Sequence, residues 1–297
     1  MQITSADIVS MCTKLGALSP NQAGLQSSDF LNIANLVTMV LTAELNGSRE
    51  EYLIYTDAIP VVVGQSHYRI PYRALNSTIR HLWFEYTDSR YRLFPKEIEF
   101  IDAYGVNFQG QPDSFYLQGN DIVLLPTPSI AGTLQVAYPM RPNLLVDVTT
   151  CQQAISISGN TVTVANIPLN FVSGIKYDVV DNMSGNSVVL YDLVGTVNTS
   201  NKTISFPADL SKVQPGFWIC QAGQTPTPNL PEEGHPLLLE SCILRVEMLR
   251  GNKTRIANSS AIVADARKAW DRLLNNRVVS KPHAAGTGGP QMPVRPW

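Results

Sequence analysis

Charge is scarce in this chain. Only 15% of its 297 residues are Asp, Glu, Lys or Arg, against about a quarter in ordinary globular domains. A surface so poor in charge is covered by Ser, Thr, Asn, Gln and Gly, or is hidden against neighbours, and permanent assembly hides it. The net charge is −2 and the basic residues form no arginine-rich stripe, so no global positive field attracts nucleic acid. A channel that DNA merely passes through needs no such stripe.

Reactive patterns are equally sparse. Cys12, Cys151, Cys220 and Cys242 are widely spaced and none lies in a CxxC motif, which excludes a zinc knuckle and a thioredoxin-like site. They read as buried thiols acting as small apolar side chains. A Cys151–Cys220 pair stays open, because both fall near the base of one β-region. His67, His81, His235 and His283 lack metal-ligand spacing. Glu232-Glu233-Gly234-His235 looks metal-like but reads as a helix entry, with two carboxylates offsetting the helix dipole. Gly64-Gln65-Ser66-His67-Tyr68 fails the last position of a nucleophile elbow, and no phosphate or dinucleotide loop is present. The reading is therefore a non-enzymatic chain with no catalytic residue, cofactor or metal. Met1 to Ser5 lacks a basic stretch and an apolar core, so no signal peptide is expected. Runs such as Val61-Val62-Val63 are far too short to span a bilayer. Synthesis in the cytoplasm and no membrane partner are expected.

What is present is structural. The length favours two domains, and a 44% hydrophobic fraction fills a core. Thr4-Ser5-Ala6-Asp7 resembles a capping box with Asp for Glu, opening a helix through Ile8, Cys12 and Leu15. A second helix is expected from near Ser28 to Gly47. Phe30, Ile33, Val37, Val40, Leu41 and Glu44 mark one face, and Leu31, Ala34, Leu36, Met39 and Ala43 make the other side apolar too, so the helix is expected to be buried on two sides, the second by a neighbouring subunit. After Gly47 the period becomes two. Strands are expected around Ile54, Val62, Arg69 and Ile79–Phe84, a short helix from Phe94 to Ile101, then strands on either side of a Gly119-Asn120 turn. Ile155–Ser158, Gly159-Asn160 and Thr161–Val164 form a hairpin signal, with further strands to Cys220. Gln221–Pro231 reads as a linker. Pro236 to Leu249 is helical, Gly251 stops it, and Asn258-Ser259-Ser260 caps a last helix. The fold class is thus α+β. A helical bundle comes from the two ends (1–48 and 232–277), with a first β-rich region (49–146), a second hairpin-rich small barrel or sandwich (147–225) and a flexible C-terminal arm (278–297).

Two other functions are conceivable. Trp83, Phe84, Tyr86, Tyr91, Phe94, Phe100 and Tyr104 suit a glycan-binding or virion decoration module. Asp102, Asp113 and Asp121 suit a cryptic carboxylate hydrolase.

One ordered series of motifs carries more. Arg49-Glu50-Glu51-Tyr52 follows a helix. Tyr68-Arg69-Ile70-Pro71-Tyr72-Arg73-Ala74, Gly119 through Pro128 and Gly132 through Val146 come next, and Asn229-Leu230-Pro231-Glu232-Glu233-Gly234-His235-Pro236-Leu237-Leu238 opens a helix. Over nearly the whole chain this order resembles the head-to-tail adaptor (connector, or neck) proteins of tailed bacteriophages. Gly234 departs from it, standing where a helix-favouring residue is expected. The resemblance implies a virion protein that forms a homo-oligomeric ring, commonly a dodecamer, beneath the portal protein. It implies a downstream tail, nozzle or stopper protein as partner, and DNA as passing cargo in a central channel. It also implies a C-terminal arm that reaches the portal, and here Arg277, Lys281, Arg295 and Trp297 are the candidate contacts.

Overall fold

The computed structural model describes residues 3–15, 26–48, 53–97, 108–182, 187–251 and 253–275. It is α+β, as expected. Helix α1 (Ser5–Leu15) opens with the anticipated capping box. The Thr4 backbone N–H donates to Asp7 Oδ2 at 2.9 Å, and the Asp7 N–H donates back to Thr4 Oγ1 at 3.3 Å. Helix α2 (Ser27–Ser48) begins in a related way, the Gln26 N–H donating to Asp29 Oδ2 at 2.8 Å. Near the C-terminal end, α3 (His235–Arg250) stops at Gly251, which is left-handed at φ 70° and returns its N–H to Glu247 O and Met248 O. Helix α4 (Lys253–Asn275) follows at once. It starts earlier than expected, so Asn258, Ser259 and Ser260 lie inside it and cap nothing. Ile8 and Cys12 of α1, Phe30, Ala34, Val37, Leu41 and Leu45 of α2, Leu237, Leu238, Cys242 and Val246 of α3, and Trp270 of α4 share one buried cluster.

Between the helices lie two β-units. The first contains β1 (Ile54–Val61), β2 (His67–Arg69), β3 (His81–Tyr86), β4 (Ser89–Arg92), β5 (Phe94–Pro95), β6 (Gln109–Gly110), β7 (Ser114–Gln118), β8 (Asp121–Leu125), β9 (Thr127–Pro128) and β10 (Gly132–Pro139). They form sheets of order β1-β10-β3-β4 and β2-β8-β7-β5, with a β6-β9 pair. Leu82, Phe84, Leu134 and Val136 of the first sheet meet Tyr68, Phe115, Ile122 and Leu124 of the second in one core. The Gly119-Asn120 turn joins β7 to β8 as expected, with Gly119 at φ 61°. The short helix expected from Phe94 is corrected. Phe94 and Pro95 pair in parallel with Ser114 and Phe115, because an exposed sheet edge at β7 offers hydrogen bonds that outweigh the local helix signals. Residues 98–101 of that expected helix lie outside the described residues.

A short strand, β11 (Leu144–Leu145), leads into the second unit. This holds β12 (Gln152–Ser158), β13 (Thr161–Val164), β14 (Lys176–Val180), β15 (Val188–Val194), β16 (Thr196–Asn198), β17 (Thr203–Ser205) and β18 (Trp218–Gln221). The β12–β13 hairpin forms around Gly159-Asn160. The sheet order is β15-β14-β18-β12-β13-β17-β16. Its outermost members, β15 and β16, are consecutive in the chain and meet at Gly195, so the sheet coils back on itself as a small barrel. Gly195 is required at this corner: a Cβ there would stand 2.7 Å from the Tyr177 ring. Val162, Tyr177, Val179, Ile204, Phe206 and Ile219 fill the interior.

The expected linker is not a free one. Its β19 (Gln224–Thr225) pairs in parallel with β11, and residues 225–230 are all buried. The composition looks like a solvated loop, but its polar groups are satisfied internally. The Thr225 hydroxyl donates to Thr227 O at 2.7 Å, Asn229 Oδ1 accepts from the Asn143 N–H at 2.9 Å, and Pro226 O accepts from the Ser5 N–H at 2.6 Å. This strap runs between the helices and the sheets.

The unexpected Gly234 has a packing reason. A Cβ at this position would sit 2.8 Å from Trp270 Cζ3, and Trp270 is buried. The glycine lets α4 close over the start of α3. Gly234→Ala should therefore destabilise by roughly 1–3 kcal/mol through overpacking, although Gly→Ala at an unobstructed site of this kind stabilises by up to about 1 kcal/mol. Urea denaturation followed by circular dichroism decides the sign.

Candidate assembly interface

The carboxylates of the hydrolase reading do not converge. Asp113 precedes β7, and Asp121 lies across from Gln118 at the far end of the β7–β8 hairpin. Five residues along a strand is about 17 Å, well beyond the roughly 5–9.5 Å of glycosidase pairs. Asp102 lies outside the described residues. His235 begins α3 as a helix entry. It is buried, and burial lowers its pKa, so the ring stays neutral inside the helical cluster. No group of three or more metal-ligating side chains comes together among the described residues. No helix among them is long and apolar enough to cross a membrane.

The aromatic set of the glycan reading is split by the pleat. Phe84 is buried in the core, whereas its neighbour Trp83 faces outward beneath the Arg90 guanidinium, 4.3 Å from the ring centroid. Tyr91 and Phe94 are exposed beside a hollow of about 570 Å³ that Arg92, Lys96, Pro112 and Asp113 also line. Phe100 and Tyr104 lie outside the described residues. No single aromatic platform is formed by the described members of the set.

What the motif Tyr68–Ala74 does is visible only in three dimensions. It carries Arg73 out of the first β-unit and into the barrel wall. Arg73 is 6% exposed, and Asp178 on β14 is fully buried. Arg73 donates to Asp178 Oδ2 at 3.0 Å, to Asp192 Oδ1 on β15 at 3.2 Å, and to Asn143 Oδ1. The Asp178 carboxylate also accepts from Asn143 Nδ2 at 2.8 Å, the Gly223 N–H at 2.9 Å and the Asp192 N–H at 3.0 Å. Burial works against the Arg73 charge, but the Asp178 carboxylate, with Asp192 behind it, holds the guanidinium firmly protonated. Tyr72 donates to Asp192 at 2.6 Å, and desolvation together with that carboxylate pushes its pKa up to about 12. A second joint lies nearby. Tyr138 and Tyr191 both donate to Asp57, which links β10 and β1 to β15. Sequence reasoning singled out the motif but missed its partners, of which Asn143 lies 70 residues away and Asp178 and Asp192 more than 100.

The helical unit presents the surface best suited to another protein. Along α2, Phe30, Ala34, Val37, Leu41 and Leu45 face the core, while Leu36, Met39 and Val40 are 53%, 44% and 48% exposed. Asn32, Ala43 and Gly47 continue the exposed line at helical spacing. The stripe carries no charge along about four turns. Glu44 lies beside it and is engaged by Arg267 of α4 at 2.7 Å. Of the second apolar side expected for this helix, Leu36, Met39 and Ala43 are uncovered in the single chain, whereas Leu31 and Ala34 turn into the core and Val40, expected on the first face, joins the exposed stripe because the packing of α1 and α3 rotates the buried face. Met248 and Leu249 at the end of α3 and Ile262 on α4 are exposed as well. The predicted arm contacts Arg277, Lys281, Arg295 and Trp297 lie outside the described residues.

The Arg73 joint gives a direct test. Arg73→Ala leaves Asp178 buried without its cation and should cost about 3–5 kcal/mol. Tyr72→Phe, at a side chain largely open to solvent, should cost no more than about 1 kcal/mol. Thermal unfolding of both variants checks the ranking.

No curated protein matches the chain. A family model described as SU10 adaptor protein matches residues 11–182, more than half of the 297 residues. The match runs from α1 through both sheets of the first β-unit and into β14, and so takes in α2 with its uncharged stripe, Arg73, Asn143 and Asp178. On this ground, and in agreement with the order of motifs that resembled phage head-to-tail adaptors, the chain belongs to the SU10 adaptor protein family.

Proposed function

We propose that this protein is a structural component of a bacteriophage virion, an adaptor ring that joins the portal to the tail and encloses part of the DNA channel. The observation that carries the reading is the uncharged stripe on α2, in a chain of an adaptor family. A helix with its core face filled and an opposite face of Leu36, Met39 and Val40 suits lateral packing against a second copy. Covering what remains exposed of these side chains contributes about 1 kcal/mol each per contact, repeated around a closed ring. In this reading the four helices act as one bundle domain (1–48 and 232–277) and form the wall. The β-regions (49–146 and 147–225) face the next tail component or the outside.

The weak overall charge suits a conduit that DNA traverses without sticking, since a basic lining would retain the phosphate backbone. The arm (278–297) is proposed to dock on the portal, ordering as it binds, with Arg277, Lys281, Arg295 and Trp297 as contacts. The subunit number proposed is twelve by resemblance alone. Synthesis in the host cytoplasm and final residence in the neck of the virion complete the proposal.

Electron microscopy of the purified chain mixed with its cognate portal protein should show joint rings. Leu36→Lys combined with Val40→Lys should leave the melting temperature within a few degrees, because both positions are exposed, yet abolish the rings. Rings that persist in this variant would remove α2 from the contact. Truncation after Asn276 should leave the chain folded and weaken portal binding at least tenfold by surface plasmon resonance. Unchanged binding would reject the arm as a portal contact.

A further inference from the structure

The four cysteines, expected to be buried thiols with a Cys151–Cys220 pair left open, lie in two facing pairs. Cys12 of α1 lies near Cys242 of α3, and Cys151 near Cys220, close enough for each thiol to perturb its neighbour's titration. All four are free and buried. The second pair has a geometry that can be read from the sheet. Strand β12 runs antiparallel to β18, with Gln152 across from Ile219 and Gln153 across from Trp218. One further step puts Cys151 across from Cys220. The hydrogen bonds fix the kind of pair. The Ala154 N–H donates to Phe217 O, and the Ala222 N–H donates to Lys176 O. Alternation along β18 then turns the backbone groups of Cys220 toward β14, where Asp178 is its partner. Toward β12, Cys220 is therefore in the close, non-hydrogen-bonded kind of pair, with Cα atoms about 4.5 Å apart. That value lies at the short edge of the roughly 4.4–6.8 Å range that a disulfide accepts.

We propose that Cys151 and Cys220 are a dithiol poised to close as a cross-strand disulfide, clasping the strands by which the chain enters and leaves the barrel. The oxidant is a low-molecular-weight disulfide. One thiol loses its proton and the thiolate attacks the small disulfide, releasing one reduced thiol and leaving a mixed disulfide on the protein. The second cysteine, as thiolate, attacks the protein sulfur of that bond and releases the second small thiol. The protein loses two hydrogens and two electrons, and the small disulfide gains them. Access is through the turn that precedes Cys151. Val148–Thr150 is a single 3-10 turn at the surface, capped by the Asp147 carboxylate, and its opening uncovers Cys151 without disturbing a sheet. The Cys12–Cys242 pair sits inside the helical cluster with no such door. Excess small thiol reopens the bond by the same exchange run backwards, so the clasp is reversible. It also lies beside Asp178, and so beside the joint that fixes the barrel to the first β-unit. The proposal is independent of the assembly reading.

The test uses the full chain, folded, incubated to constant thiol content with excess glutathione disulfide. It is then denatured, alkylated and digested for peptide mass spectrometry. The expected result is a Cys151–Cys220 linked peptide, with Cys12 and Cys242 recovered alkylated and the link removed by dithiothreitol. In Cys220→Ser the linked peptide should vanish and Cys151 should carry glutathione. Cys151 and Cys220 recovered unlinked from the wild-type chain, or linked only when the oxidant is added after denaturation, would overturn the proposal. The wild-type measurement decides even if the variant does not fold.

Discussion

The buried cation of Arg73 fixes how the two β-units meet. Placing the Arg73 guanidinium inside the protein is tolerable only because two carboxylates and an amide oxygen are delivered to it, and backbone N–H groups to the Asp178 carboxylate, from separate parts of the chain. Those parts are the segment after β2, the approach to β11, strands β14 and β15, and the turn before β19. Each group satisfies another, so none can shift alone without leaving a buried charge or amide unpaired. Such a network adds little net stability beyond what an apolar contact provides, but it permits one arrangement. For the joining role proposed above, fixed geometry between the two β-units matters more than extra stability.

Local structure was largely legible in the sequence. The Thr4–Asp7 box, the stop at Gly251 and the Gly119-Asn120 and Gly159-Asn160 turns are decided by interactions within a few residues, and each forms where its chemistry says it should. The failures share a cause. Phe94-Pro95 carries good helix-start signals, but β7 lies alongside with unpaired backbone groups. Asn258-Ser259-Ser260 looks like a cap, but the helix has already begun at Lys253, following the left-handed turn at Gly251. Gln221–Pro231 has the composition of a linker, but Asn143 and Ser5 reach it and make its burial possible. In each case a partner distant in sequence overrode the local preference.

The assembly surface was half legible. The two apolar sides of α2 can be counted on a helical wheel, and the low charge of the chain points the same way. Which side faces the core depends on α1, α3 and α4, and the sequence does not contain that choice in any local form. The Arg73 joint was less legible still. The motif around it was conspicuous, but Asp178 and Asp192 sit among ordinary strand residues with nothing to mark them. The corner at Gly195 and the fit of Gly234 beneath Trp270 belong to the same class, since each is a missing side chain whose reason is an indole or phenol ring elsewhere in the chain.

The Tyr55 hydroxyl donates to Val188 O at 2.9 Å and accepts from the Val188 N–H at 3.1 Å. It thereby answers both backbone groups of one residue at the start of β15, as the main chain of an adjoining strand would. A phenol standing in for a strand terminates the ladder there without offering a new edge, so the barrel cannot recruit a stray β-segment at that point. In the ring proposed above, growth is then left to side-chain surfaces, which have shape, and not to backbone edges, which accept any sequence.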